Sequence, residues 1–570
     1  MLKCTHTYDH YYLHEEITAI FQEYVEKYPR YVQLVSLAKT AEGRDIWLLE
    51  LTDTQTGQFS QKPAYCACGP VHAQEVMGTM NIMLFVDYLL TNRDEPEVAK
   101  ILADYTVYAL PNPTPDGTEC YLTTPEILRS VTRMYPFDEL QPGLQMQDMD
   151  GDGVIRQMRF RDPLGPWKIS KEDPRMMQVR DPDETEGEFY QVFREGMFLD
   201  GIDWREQAHN APEKWGFDLN RSWPIGWRPE ALQKGAGHYP LENIENRTIA
   251  DFLVNHKNIC TFMIYHCSAG VFFYPPSYKH PKEAPRDDIQ RYKEVLRMGT
   301  EETGYPAQNV HETFCVRQGM FAAGSLDDFL HFGMGLFSFA CECWDLETQA
   351  GIPGKWDRLP AKETAQDKYN YEYKTLRWVD EHIGKDVFKP WTKLQHPQLG
   401  EVEIGGFDYK FVIVNAPNSM LREELEKTVR FMRRQIKILP RIELSDVRAT
   451  RIEDGVYRVE ATVVNKKYLP TNVTTEAINM KMVQPDTVSL QGEDIEFLTG
   501  KSRQKIGFLP GISGIRVEHH FTNYVVIPGA PIQKQATWVI RAKPGTVLNI
   551  HADSDRAGHA TAQLVLPAKA

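Results

Sequence analysis

The feature that most constrains this chain is a change of hydrophobic period between Pro63 and Leu90. Pro63 to Cys68 is a short apolar run of strand length, Gly69-Pro70 breaks it, and Val76 to Leu90 places apolar residues at helical spacing. A strand, a sharp break and a helix in that order predict an α/β sheet. His72 and Glu75 stand between the break and the helix. Ligands at the carboxyl end of a strand face the crevice where α/β sheets place their active sites. A His and a Glu three apart, joined by a distant second His, form a zinc ligand set that leaves one position open for water. Alone, the pair also reads as helix N-terminal charge beside a surface imidazole, so the rest of the chain has to supply the third ligand.

Other strands end in polar residues too. Val32 to Leu37 and Ile46 to Thr52 read as strands around the turn Glu42-Gly43-Arg44, after a helix over His14 to Lys27. Tyr105 to Leu110 ends in Pro111-Asn-Pro-Thr-Pro-Asp-Gly117, a rigid turn by its proline density. Ile259 to Tyr265 is a continuous apolar strand that ends at His266. Leu336 to Cys343 is another, with Glu342 inside it. A carboxylate in such a strand is costly unless paired or functional. Cys341 and Cys343 face the other way, so Glu342 is free to point into a site. Helices are expected over 241–255, 286–302 and 325–331.

A long aperiodic segment runs from about 136 to 213, and its aromatic residues argue against disorder. Within it Asp148, Asp150 and Asp152 precede Gly153, like the first half of a calcium loop. The twelfth position is Arg159 and not Glu, which excludes an EF-hand. A calcium-stabilised loop of another type and a metal-free Asp/Gly turn both stay open. From Arg441 onward the pattern alternates, with Tyr457, Val459, Ala461 and Val463 against Arg458, Glu460 and Thr462. Together with recurrent turn signals this predicts an all-β sandwich. The expected organisation is a catalytic domain over 1–395 carrying the insertion, a connecting segment with a helix over 396–440, and the sandwich over 441–570.

The net charge of −15 argues against nucleic acid and against an anionic membrane surface as partners. No apolar run reaches the length of a membrane span. The polar opening Met1-Leu-Lys-Cys-Thr-His6 shows no leader, so a cytoplasmic location is expected. The nine cysteines lie mostly in apolar runs, as reduced and buried thiols do. Cys66 with Cys68, and Cys341 with Cys343, share a strand face and are expected in the core rather than as thiolate ligands.

Taken in order, the motifs His72-Ala-Gln-Glu75, Pro115-Asp-Gly117, Asp218-Leu-Asn-Arg-Ser-Trp223, His266 at a strand end and Glu342 at the end of the last strand make a pattern. It resembles the zinc metallocarboxypeptidases of the pancreatic carboxypeptidase A and B type, over roughly residues 10 to 390. The resemblance implies a mixed eight-stranded sheet covered by helices. It implies His72, Glu75 and His266 as ligands of one Zn2+, the same set as in carboxypeptidase A. Glu342 would be the general base, Arg129 would stabilise the oxyanion, and Asp218 would hold the tautomer of His72. Asn220 and Arg221 would take the terminal carboxylate. Arg129 is chosen for its spacing from Gly117, with Arg133, Arg156 and Arg159 as competitors. Asp327 matches the pocket-floor position that the family varies, where an acid favours a basic C-terminal side chain; Arg317 would favour an acidic one.

The chain departs from the family in three places. Met320 stands where a tyrosine is usual, Thr114 where an asparagine is, and Cys267-Ser268 follows the second histidine. The long segment between Arg129 and Asp218 is expected to form a lid or rim. The expected activity is removal of one C-terminal residue from peptides with a free carboxylate. A related zinc amidase, acting on cell-wall stem peptides or N-acyl amino acids, would need the same Asn220 and Arg221. A non-catalytic binding module is opposed by the intact His72, Glu75, His266 and Glu342.

Overall fold

The structure, a computed structural model, describes residues 1–199, 203–205, 209–316, 321–354, 356, 362–514, 516–520, 523–527 and 531–567. The run from Pro63 to Leu90 folds as a strand, Ala64–Cys68, and a helix, Met77–Thr91. Every residue of that strand is buried, which is why it reads as continuous apolar sequence. It lies inside an eight-stranded sheet in the order 32–39, 45–51, 106–110, 64–68, 259–267, 337–343, 271–274, 307–309. The four middle strands, from 106–110 to 337–343, are parallel to one another. The strands that flank them, Asp45–Leu51 and Val271–Tyr274, run against them, so the sheet is mixed.

Pairing register places the chemistry. His266 lies directly opposite Glu342, and Cys267 opposite Cys343. Partners in a parallel ladder point to the same face, so His266 and Glu342 project together at the carboxyl ends of adjacent strands. Cys341 and Cys343 pack into the helical layer on the other face, while Cys66 and Cys68 fill the core on the face of the helix Ile244–Asn255. All nine cysteines are free thiols. Among the described residues no helix is long and apolar enough to cross a membrane.

Three segments behave differently from the expectation. The helix Asn418–Lys437, expected in a connector, packs against both Met77–Thr91 and Arg286–Thr303 and belongs to the catalytic layer. The insertion builds a sheet of its own, in the order 388–396, 400–407, 157–161, 190–194, 167–169, 177–179. Its first two strands form a hairpin from beyond the catalytic portion, joined to the insertion through pairs such as Ile404 with Met158. Leu144, Met158, Phe160, Phe198, Val402 and Ile404 form its core. The boundary expected at 395 therefore falls inside a hairpin. A helix, Pro115–Thr123, begins where a rigid turn was expected, because Pro115 occupies the first helical turn, where its missing N–H is not needed.

The C-terminal part is two four-stranded antiparallel sheets, 442–453, 456–465, 533–541, 496–499 and 503–507, 486–492, 547–554, 558–565. Tyr457, Val459, Ala461 and Val463 lie in its core with Trp538, as the alternation requires.

Candidate metal centre and active site

Three side chains meet above the carboxyl ends of the middle strands. His72 and Glu75 come from the loop after Ala64–Cys68, and His266 from the end of Ile259–Cys267. Their relative exposures are 3%, 2% and 2%. Nδ1 of His72 is 2.9 Å from Glu75 Oε1, Nδ1 of His266 is 2.8 Å from Glu75 Oε2, and the two Nδ1 atoms are 3.1 Å apart. Their donor atoms all lie within 4.8 Å of one another. Two nitrogens of a tetrahedral zinc site, each about 2.0–2.1 Å from the ion, are separated by about 3.3 Å, so the donor set fits the metal. His72 Nδ1 and His266 Nδ1 stand 3.1 Å apart against the same carboxylate, a convergence of donors that a shared cation would account for.

Asp218 fixes the orientation of His72. Its Oδ1 is 2.9 Å from His72 Nε2, so Nε2 carries the proton and Nδ1 keeps its lone pair for a metal. Burial tends to raise the carboxyl of Asp218, but the Arg129 and Arg221 guanidiniums and the imidazole hold it well below its usual range. Burial likewise opposes ionisation of Glu75, and the two imidazoles outweigh it and keep the carboxylate charged.

Arg129 donates from Nε to Asp218 Oδ2 at 2.7 Å, and its Nη1 is 3.8 Å from Glu75 Oε1. The structure brings this arginine to the site and places its competitors elsewhere. Arg133 pairs with Glu242 at 2.9 Å, Arg156 with Asp152 at 3.2 Å and Arg159 with Glu403 at 2.7 Å.

The segment Asp218 to Trp223 is a hub. Asn220 accepts a hydrogen bond at Oδ1 from the backbone of Leu326 at 2.8 Å, which anchors the short helix carrying Asp327 and Asp328. Arg221 is largely buried, and its Nη1 donates to the carbonyl of Asn220 at 2.8 Å. Gly324 has φ +69, and a Cβ there would lie 2.4 Å from the Arg221 carbonyl, so only glycine lets the two loops meet. Asp327 is buried, and its Oδ1 has no hydrogen-bond partner among the described residues. Burial pushes its carboxyl up to about 7, opposed by His266 and Arg221 and assisted by Asp328 and Glu342. Arg317 and Met320 lie outside the described residues.

Sequence reasoning missed two positioning groups. Asp328 accepts from the backbone of Ser277 at 3.0 Å and from its hydroxyl, tying the pocket helix to the loop after the strand Val271–Tyr274. Asn415 accepts from the backbone of Met77 at 3.1 Å and donates to the carbonyl of Gln74 at 2.8 Å, so it clamps the loop that presents His72 and Glu75. An Asp following another Asp at a helix start was a visible signal for the first; the second had none.

Hydrogen bonds and ion pairs within the chain shape the loop at 148–153. Asp148 accepts from the backbones of Gly151 and Gly153, both at 2.8 Å. Lys389 Nζ lies 2.5 Å from Asp150 and 2.7 Å from Asp152. Asp148 and Asp150 also lie within ligand distance of the buried Glu195, which accepts from the backbones of Met149, Asp150 and Arg156.

Comparison with known proteins identifies the family of the chain. The sequence model described as "Zinc carboxypeptidase" matches residues 17–141 and 190–361, more than half of the chain. Residues 441–565 match a domain of unknown function. Carboxypeptidase D of Mus musculus is 25% identical over 111 residues, which are 19% of this chain and 8% of that protein. Carboxypeptidase M of Mus musculus is 26% identical over 113 residues, 20% of this chain and 26% of that protein. The chain thus spans only a small part of these relatives' length. The carboxypeptidase A structure from Helicoverpa armigera is 15% identical, covers 66% of this chain and 75% of that one, and has a TM-score of 0.39. The family description implies Zn2+ as the metal. On the match to its sequence model, the chain belongs to the zinc carboxypeptidase family.

Proposed function

We propose that the protein is a zinc-dependent metallocarboxypeptidase that hydrolyses the C-terminal peptide bond of peptides with a free carboxylate. The observation that carries this reading is the register of His266 against Glu342, which sets a carboxylate beside the donor cluster at the mouth of the sheet. His72, Glu75 and His266 would hold the ion. Held by these three residues, zinc would supply Lewis acidity for activating the attacking water and polarising the scissile carbonyl. Glu342 accepts the proton of the attacking water and returns it to the leaving amine. Arg129, held by Asp218, faces the developing oxyanion. Arg221 binds the terminal carboxylate through its guanidinium fork, with Asn220 placing the pocket helix. Asp327 at the pocket floor would favour a basic C-terminal side chain, whose charge its buried carboxyl lacks a partner for.

The test is mass spectrometry of a mixed peptide library incubated with the protein, with and without a zinc chelator. Chelator-sensitive loss of single C-terminal residues, lysine and arginine first, is expected. No trimming at any residue would end the carboxypeptidase reading and favour the amidase. Arg221→Ala is expected to raise KM for free-carboxylate peptides by about 10²-fold or more and to leave the slow reaction with amidated peptides unchanged. Equal loss on both would show that Arg221 does not read the carboxylate.

For the loop at 148–153 the Lys389 ion pairs favour a cation-free reading. Asp150→Asn is then expected to lower Tm by no more than about 2–4 °C, and equally in calcium and in chelator. A shift confined to calcium would establish a calcium loop at Asp148, Asp150 and Asp152.

A further inference from the structure

The helix that follows His72 and Glu75 has no cap of its own. Met77–Thr91 begins after Val76, whose side chain makes no capping hydrogen bond. The first N–H groups of a helix find no partner within it. Asn415 supplies one from a distant part of the chain, accepting from the Met77 N–H at Oδ1 while its Nδ2 donates to the Gln74 carbonyl. These two contacts stand on either side of Glu75 and Val76. One fully buried amide therefore fixes the backbone before and after the carboxylate that would bind the ion. Its orientation follows from its partners. Nδ2 also donates to the Lys410 carbonyl at 3.0 Å and to the Tyr121 hydroxyl at 3.3 Å, which leaves Oδ1 for the Met77 N–H.

The segment that carries Asn415 holds two other functional stretches in the same way. Lys410 is 4% exposed, and its Nζ donates to the carbonyls of Tyr121 at 2.6 Å and Thr124 at 2.5 Å. Those carbonyls close the helix Pro115–Thr123, in the stretch that leads to Arg129. The Val412 carbonyl accepts from the indole N–H of Trp344 at 2.9 Å, just beyond Glu342. Val412, Val414 and Ala416 are buried in the main core. Residues 410–416 thus touch the stretches that present Glu75, Arg129 and Glu342. They lie outside the portions matched by the family model, the last of which ends at 361.

We propose that residues 410–416 brace the metal centre from behind, and that Asn415 is a positioning residue that sets zinc affinity through the backbone of Glu75. The inference rests on the reading of His72, Glu75 and His266 as the ligands of the ion. A zinc–carboxylate bond is made at about 2.0–2.2 Å, which leaves little room for a loop that wanders. A loop that must be ordered when the ion arrives subtracts from affinity; the brace orders it during folding instead. The coupling is reciprocal, so zinc held by the loop tightens the brace in turn.

The experiment measures zinc affinity by competition with a chelator of known strength, in the wild type and in Asn415→Leu. Leucine keeps the approximate size and the neutrality of the side chain and removes both hydrogen bonds. The zinc Kd is expected to rise about 10-fold or more, the lower end of what groups supporting metal ligands contribute. A lowered Tm with an unchanged Kd would make Asn415 a residue of the core alone and overturn the inference. Hydrogen exchange of the wild type needs no variant to fold. Amides of 410–416 are expected to exchange about 3-fold or more slowly with zinc bound than after its removal. Equal exchange in the two states overturns the inference and leaves the three ligands in place. A wild-type protein that takes up no zinc ends the zinc reading, and the inference with it.

Discussion

Glu342→Gln is expected to lower kcat by about 10²–10⁴-fold, the range a positioned general base supplies, while zinc content stays at one per chain. Glutamine keeps the shape of the side chain and loses only the ability to accept and return a proton. The three proposed ligands are on other elements and remain buried, so metal retention should not depend on residue 342. Because the interaction is made chiefly in the transition state, kcat and kcat/KM should fall together with KM nearly constant. Turnover within a few-fold of wild type would remove Glu342 as the base. Loss of zinc together with turnover would make it a support of the ligand cluster instead. The geometry argues against that second outcome. Glu342 stands beside His266 in the ladder, while the direct partners of His266 Nδ1 are Glu75 and His72.

How far the sequence reveals this site depends on how local each signal is. The strand at 64–68 reads clearly because both its faces are buried, and His72 and Glu75 stand out as polar residues in the loop that follows it. The register of His266 against Glu342 needs the fold, but each residue ends an apolar run and is visible as such. The inserted sheet is hidden. Its insertion strands are three to five residues long, and their cover comes from a hairpin more than 200 positions later. Short strands paired at that distance leave no periodicity to read. The same holds for Asn415, 341 positions from the Gln74 carbonyl it clamps. Arg129 was one of four candidate arginines, and only the acids that claim the other three, Glu242, Asp152 and Glu403, separate them. Charge pairing across a fold is decided by proximity, which sequence order does not encode. For the calcium-like loop, Lys389 enters from the hairpin and supplies the counter-charge that the acidic run suggested a metal would bring.

Arg556→Met is expected to weaken the union of the C-terminal sandwich with the catalytic domain by about 3–5 kcal/mol. Arg556 sits in the turn between the strands Val547–Ser554 and Gly558–Val565 and is 4% exposed. Its Nη1 donates to the Gly335 carbonyl at 2.5 Å and its Nη2 to the Met334 carbonyl at 2.6 Å. These are carbonyls at the end of the helical segment that carries Asp327 and Asp328, just before the Glu342 strand. A cation there satisfies groups that the helix leaves unpaired. Burial pulls the guanidinium down to about 10, which still leaves it charged at neutral pH. Each charge-assisted bond is worth about 1.5–3 kcal/mol. Thr474 also donates to Gly335 at 2.8 Å, so in the variant the Met334 carbonyl is the one left bare. Gly335, at φ +65, would place a Cβ 2.6 Å from Ala477 of the sandwich, so the contact is close as well as polar. The hairpin also meets the amino end of the His266 strand, where Cys260 Sγ donates to the Arg556 carbonyl at 3.0 Å. Weakening this contact should split calorimetric unfolding into two transitions, the first about 10 °C below that of the wild type. Below that transition KM should rise while kcat holds, because the pocket helix moves and Glu342 remains in its ladder. A single transition at the wild-type temperature would mean that the sandwich is joined to the catalytic domain mainly by other contacts, such as the hydrogen bonds of Thr475 and Glu476 to Asp288.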